Sequence, residues 1–448
     1  MRFLPWLNIR MRQSGFWGLL LGAAIALIVA LLGPINLRQS NASQKHQVPI
    51  LPETARSAYS FIDSIGVVTH LSRTDSAYGD YNATIRPRLQ TLGIHHIRDG
   101  VKLKDTALQQ KLADLATLGI KSTLVMDPRD QKNATEAVEI TSLIPTAIEA
   151  VEGPNEWDIW PDLTYEDKPF PEGVRRFQSD LYGAIKNDPQ LASLSVLGPA
   201  LAFPKNAKKL GAIACDYGTM HSYAGGNQPT TDLQKKWIPA AELTCPDRPI
   251  VATEAGWHND LADKNGQPGI SEAAAGKYVP RLCLEYFNQG IRRVYINELI
   301  DKWKKSGKES HFGLLRREGS PKPAFTALQN LISLLQDNSQ NNGDNFSPGQ
   351  LKYAIRGDIQ NVHHTLLQSR QGTFYLVLWQ AVSSFNLPDQ RDLSVPARPI
   401  TLDFDTAIRE SNLYALLPDL SSTNQSINPT SIPLNVSDMP VVVELIPA

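Results

Sequence analysis

From about residue 63 to residue 335 the chain alternates short apolar runs with longer segments whose apolar residues recur at three- and four-residue spacing. Such alternation is the pattern of a parallel sheet with crossover helices, because parallel neighbours cannot be joined by a tight turn. Eight strand candidates are read, at 64–70, 95–98, 122–126, 147–151, 195–198, 218–221, 249–253 and 293–296. Helical spacing fills the intervals, for example at 108–118, 175–185 and 273–287, and a last helix is predicted at 323–335. Gly93, Gly119 and Gly290 each stand just before a strand, where a glycine closes a helix by taking the left-handed conformation. Eight strands and eight crossovers within 58–336 predict an α/β fold, a (β/α)8 barrel, which places its site at the C-terminal strand ends.

The 448 residues exceed one such barrel. After a polar linker at 337–349, residues 350–448 show short alternating strands without a convincing helix, predicting a C-terminal antiparallel β-sandwich. At the other end Arg2, Arg10 and Arg12 precede an apolar run over 16–32. Residues 1–37 therefore read as a membrane anchor or a cleaved signal peptide, with the body exported and 38–57 as a polar tether. Export would permit disulfides, and Cys215 and Cys245 stand before adjacent strands, so a bridge between them and two buried thiols are both admissible. A formal net charge of −1 offers no basic field for nucleic acid. No Cys–His spacing resembles a zinc site, no metal or cofactor is called for, and no protein partner is inferred.

Chemistry enters with two acidic segments, Val151-Glu152-Gly153-Pro154-Asn155-Glu156-Trp157 and Thr253-Glu254-Ala255-Gly256-Trp257. Glu156 follows the fourth strand and Glu254 ends the seventh, so a closed barrel brings both to one rim. Glycosidic hydrolysis needs such a pair: one acid protonates the leaving oxygen, and the other carboxylate attacks or screens the oxocarbenium-like centre. Carboxyls about 5 Å apart would retain anomeric configuration, and a gap of about 6.5–9.5 Å would invert it. No Gly-x-Ser-x-Gly or His-Glu-x-x-His supports an esterase or peptidase. A barrel that binds or organises an extracellular polysaccharide without cutting it is the alternative.

Asn155-Glu156, Thr253-Glu254, Gly313-Leu314 and Lys322-Pro323-Ala324-Phe325 resemble the retaining glycoside hydrolases of clan A, particularly family 39 and its relatives, over about residues 60–335. The resemblance implies Glu156 as acid/base, Glu254 as nucleophile and Asn155 as donor to the sugar 2-hydroxyl. It also implies that Arg98 keeps Glu254 ionised and that His221 and Tyr223 stand beside the nucleophile. His70 and Asp127, at the ends of strands one and three, are further candidates to bind sugar hydroxyls. Trp257 is a candidate stacking face, as are Trp157 and Trp303. Glu298 ends the eighth strand, where other branches of the clan carry a Trp. Glu152, four residues before Glu156, is the carboxylate most easily mistaken for the acid. The partner expected is a carbohydrate, with the membrane reached only through the N-terminal segment.

Overall fold

A computed structural model describes residues 49–131, 133–263, 266–336 and 346–448. The apolar run over 16–32 and most of the 337–349 linker lie outside them. Among the described residues no helix is long and apolar enough to cross a membrane.

Eight parallel strands form the barrel: β1 (Ile65–Val68), β2 (His96–Gly100), β3 (Lys121–Val125), β4 (Ile148–Glu152), β5 (Ser195–Leu197), β6 (Gly218–His221), β7 (Ile250–Ala255) and β8 (Arg293–Ile296). Continuous ladders run β5-β4-β3-β2-β1-β8-β7-β6. The remaining seam between β5 and β6 is closed by a parallel bridge from Leu197 to Tyr217 and by the Gly198 N–H to Tyr217 carbonyl bond of 3.0 Å. All four residues of β1 and of β6 are buried, as expected for strands covered by side chains on both faces.

Helices Thr106–Thr117, Glu172–Asn187, Glu272–Asn288 and Pro323–Leu335 bury apolar stripes against this barrel. Gly93, Gly119 and Gly290 all take positive φ, 77°, 80° and 76°, so they close helices as their positions suggested. Gly313 answers to a different demand. A Cβ there would lie 2.2 Å from the Asp301 nitrogen, so only glycine lets the chain after β8 fold back along it. Of the two states admissible for Cys215 and Cys245, the disulfide is the one formed, with Cα atoms 6.2 Å apart, and Cys283 is a buried thiol.

The C-terminal strands make two antiparallel layers. Gln350–Gly357, Arg398–Phe404 and Ser431–Val436 lie in one, while Val362–Gln368, Phe374–Gln380, Val441–Pro447, Ile408–Ala415 and Ser421–Ile427 lie in the other. The segment read as tether departs from expectation from residue 51 onward. Leu51–Thr54 pairs with Gln350–Gly357, and Arg56–Ser57 pairs in parallel with Val362–Gln368, so the stretch before the barrel adds an edge strand to each sandwich layer. Pro52 had suggested a coil, but an edge strand tolerates a residue that cannot donate. The sandwich docks on helix Glu272–Asn288: Trp379 Nε1 and His363 Nδ1 each lie 2.8 Å from Glu285 Oε1, and Lys277 pairs with Asp438 at 2.9 Å.

Candidate active site

At the C-terminal rim the chain leaves β4 through Gly153-Pro154-Asn155, and Asn155 pairs with Ala200 beyond β5. Glu156 follows in the left-handed region, with φ 54° and ψ 38°. For a residue with a Cβ this costs about 1–2 kcal/mol, and such bends concentrate where a side chain must be aimed. Glu254 stays within β7.

The two acids are in different surroundings. Glu254 Oε1 accepts from Arg98 Nη1 at 2.8 Å, and Oε2 accepts from the Tyr223 hydroxyl at 2.6 Å. Burial pushes its carboxyl up, but the charges of His221 and Arg98 and the Tyr223 hydrogen bond outweigh that and hold it at about 2. Glu254 is therefore an anion at any ordinary pH. Glu156 Oε1 lies 2.7 Å from His221 Nδ1. His221 is fully buried and also stands 3.7 Å from Glu254 Oε2. Burial pushes the imidazole down, yet the Glu254 and Glu156 carboxylates prevail and make it more basic than an ordinary histidine. One oxygen of Glu156, one of Glu254 and a His221 nitrogen all lie within 4.8 Å of one another. A cation could bridge donors at that spacing, but the guanidinium already on Glu254 opposes one at this point.

Arg98 organises the floor. Its Nε and Nη2 reach Glu152 at 2.5 and 3.2 Å, and Nη2 also reaches Asn155 Oδ1 at 2.8 Å. Glu152 is wholly buried and spent on this clamp, away from any reacting atom. A guanidinium only donates, so the Asn155 oxygen must face Arg98, which leaves its Nδ2 as the donor on the other side.

The remaining candidates separate into those the structure brings to the site and those it does not. His70 and Arg98 line a cavity of about 350 Å³ with Glu254 and Asn155, over the ends of β1 to β4. Burial pushes the His70 ring down to about 3, with the Lys302 charge adding to it, so it is neutral. Asp127 borders the same cavity, but its oxygens accept from Arg129, from the Asn155 N–H at 2.9 Å and from Trp157 Nε1 at 3.1 Å. It orients Asn155 instead of offering itself to a ligand.

Two expectations are corrected. Trp257 is buried, donates to the Asn227 carbonyl at 2.9 Å and packs on Tyr278, so it presents no face to a sugar. Glu298 is also wholly buried. Its carboxyl lies 3.1 Å from the Tyr78 hydroxyl, 3.1 Å from Lys302 Nζ and 3.5 Å from His70 Nε2, so it reaches the cavity only through His70. Burial raises it to about 8 against the opposing pull of Lys302 and Tyr78. Trp157 is buried as well. Among the described residues the exposed Trp, Phe and Tyr side chains are Trp160 and Phe203, neither of which periodicity singles out. Asn297 was also missed: its Nδ2 donates to the Tyr223 oxygen at 2.7 Å, which aims the Tyr223 proton at Glu254. Its position beside Glu298 at the end of β8 was the only available signal.

The chain is thus a (β/α)8 barrel with a β-sandwich on its flank and glutamates after the fourth strand and in the seventh. No protein-family model and no curated protein matches the sequence. Among solved structures, the chain is similar to a family 39 glycoside hydrolase from Bacteroides cellulosilyticus WH2, with a TM-score of 0.60 and 14% identity over 86% of this chain and 82% of that one. It is also similar to a monomeric β-xylosidase from Caulobacter crescentus CB15, with a TM-score of 0.58 and 15% identity over 89% of this chain and 98% of that one. At such identities the likeness is one of fold, and the site must carry the chemistry.

Proposed function

We propose that the protein is an exported retaining glycoside hydrolase acting on an oligo- or polysaccharide. The observation that carries this reading is the pair Glu156 and Glu254, with an oxygen of each within 4.8 Å in the rim of the barrel. That close approach suits double displacement better than the wider gap of an inverting enzyme. Glu254, held ionised by Arg98 and Tyr223, attacks the anomeric carbon while Glu156 gives its proton to the leaving oxygen. The resulting glycosyl ester on Glu254 is then opened by water, from which Glu156 removes a proton. Asn155 Nδ2 donates to the 2-hydroxyl, a bond that strengthens as charge develops on the ring. Export, with the N-terminal segment either retained as an anchor or cleaved, is supported by the arginines before the apolar run and by a disulfide suited to an oxidising compartment.

The test is a panel of 2-deoxy-2-fluoro glycosyl fluorides, with any labelled peptide mapped by mass spectrometry. A label on Glu254 is expected. A label on Glu152 or Glu156 would overturn the roles, and a panel with neither label nor turnover would favour a barrel that binds glycan without cutting it.

A further inference from the structure

Among the described residues, Trp160 and Phe203 are the only Trp, Phe or Tyr side chains that are exposed, at 51% and 48%. Both stand at the catalytic rim. Trp160 lies four residues beyond Glu156, and Phe203 lies on the loop after β5, three residues beyond Ala200, whose carbonyl accepts from the Glu156 N–H at 2.9 Å.

The two loops are built as one piece. Asp158 accepts from the Ala202 N–H at 2.9 Å, from the Phe203 N–H at 3.0 Å and from Asn206 Nδ2 at 3.0 Å, which locks the Glu156 loop to the Phe203 loop. Beneath them Trp157, Val174, Leu201, Ala207 and Leu210 form a small apolar core separate from that of the barrel. An exposed aromatic surface on a rigid base loses little entropy when a flat ligand settles on it.

Position assigns the occupant. The cavity beside Glu254 lies over β1 to β4, and Glu156 is not among its lining residues. Asn155 lines that cavity, Glu156 follows it in the chain, and the Trp160 and Phe203 loops leave from Glu156 and from its hydrogen-bond partner Ala200. A sugar held at Glu254 directs the oxygen that Glu156 protonates toward these loops.

We propose that Trp160 and Phe203 form the leaving-group subsite, where the apolar face of the departing sugar stacks, so that the enzyme is specific for saccharide leaving groups over small ones. Sugar C–H faces meet aromatic rings of this kind without needing a particular hydroxyl pattern. Lys205, whose Nζ lies 5.1 Å from the Phe203 centroid, stands at the same place as a donor for sugar hydroxyls. The inference rests on the hydrolase reading and adds to it the side of the cleft that recognises a second ring.

The experiment compares the full chain with Trp160→Ala, Trp160→Phe and Trp160→Ala/Phe203→Ala on β-glycosyl fluorides and the matching oligosaccharides of glucose, xylose, mannose and galactose. Fluoride is too small to reach the platform, so fluoride release reads the catalytic pair alone. The alanine variants are expected to lose about tenfold or more in kcat/KM on oligosaccharides, keep fluoride release within about twofold, and recover with phenylalanine at 160. Equal losses on both substrates, or no loss on either, would overturn the subsite. If no glycosyl fluoride and no oligosaccharide is cleaved, the hydrolase reading fails separately. Retention on the corresponding immobilised polysaccharides then decides: lost in the alanine variants it keeps the platform as a glycan site, unchanged it ends it.

Discussion

Replacing Arg98 by Met should separate the folding role of the rim from its chemical role. The guanidinium makes four hydrogen bonds, two to Glu152 and one each to Glu254 and Asn155. Glu152 has no exposed surface, so Arg98→Met strands a carboxylate in the barrel interior. Breaking a buried pair from one side costs about 3–5 kcal/mol, because the partner's desolvation is no longer compensated. In Arg98→Met/Glu152→Met that stranded charge is gone, and two side chains of similar volume replace the pair, a change that is often close to neutral. Urea unfolding followed by tryptophan fluorescence should place the single variant well below the parent and the double variant close to it. Activity should not follow stability. Both variants leave Glu254 with the Tyr223 hydrogen bond and the His221 charge but without its guanidinium, and free the Asn155 amide to rotate, so kcat/KM on glycosyl fluorides should fall about 10²–10³-fold in each. A single variant as stable as the parent would refute the stranded-charge argument, and activity returning in the double variant would refute the role of Arg98 at Glu254.

Three further outcomes follow from the same geometry. Tyr223→Phe removes a charge-assisted hydrogen bond of about 1.5–3 kcal/mol, so the acid limb of the kcat/KM profile should move up by about 1–2 pH units. Glu254 is depressed to about 2 in the fold, so its share of stability is present above the unfolded carboxylate range near 4 and is lost as pH falls toward 2. The variant should narrow that window from its acid end, and an unmoved acid limb would count against the assignment. Glu156→Gln should cut kcat/KM on oligosaccharides about 10²–10⁴-fold, and far less on glycosyl fluorides, whose leaving group needs no proton, while kcat falls on both because the glycosyl ester loses its base; steady-state rates on both substrates decide. Cys215→Ala/Cys245→Ala opens a loop with a sequence separation of 30, which should lower stability by about 3–4 kcal/mol while leaving kcat/KM near the parent value, as checked by urea melts beside rates.

Local rules carried much of the fold and part of the site. The barrel strands appear where period and turn residues placed them, and residues 350–448 form the antiparallel strands that their alternation predicted. Glu156 and Glu254 were legible because each ends an apolar run, and strand ends on one side of a barrel must meet. Trp257 was misread because sequence places it beside Glu254 without saying which way its ring turns. Trp160 and Phe203 gave no signal, since exposure is a property of the folded surface. Residues 51–57 were read as tether because their pairing partners lie about 300 positions away, and no local pattern announces them.

What the sequence alone determined is therefore what short-range physics encodes: the alternation that demands a parallel barrel, the glycines that end helices, and two glutamates at strand ends. What only the tertiary structure decided is which groups share a hydrogen bond. Arg98 reaches Glu254 across 156 residues and Glu152 across 54, and Tyr223 is aimed by Asn297 across 74. These contacts set which carboxylate stays ionised and which is buried in a clamp. Periodicity could not report them, because the energy of a buried charge depends on neighbours that only the closed barrel supplies.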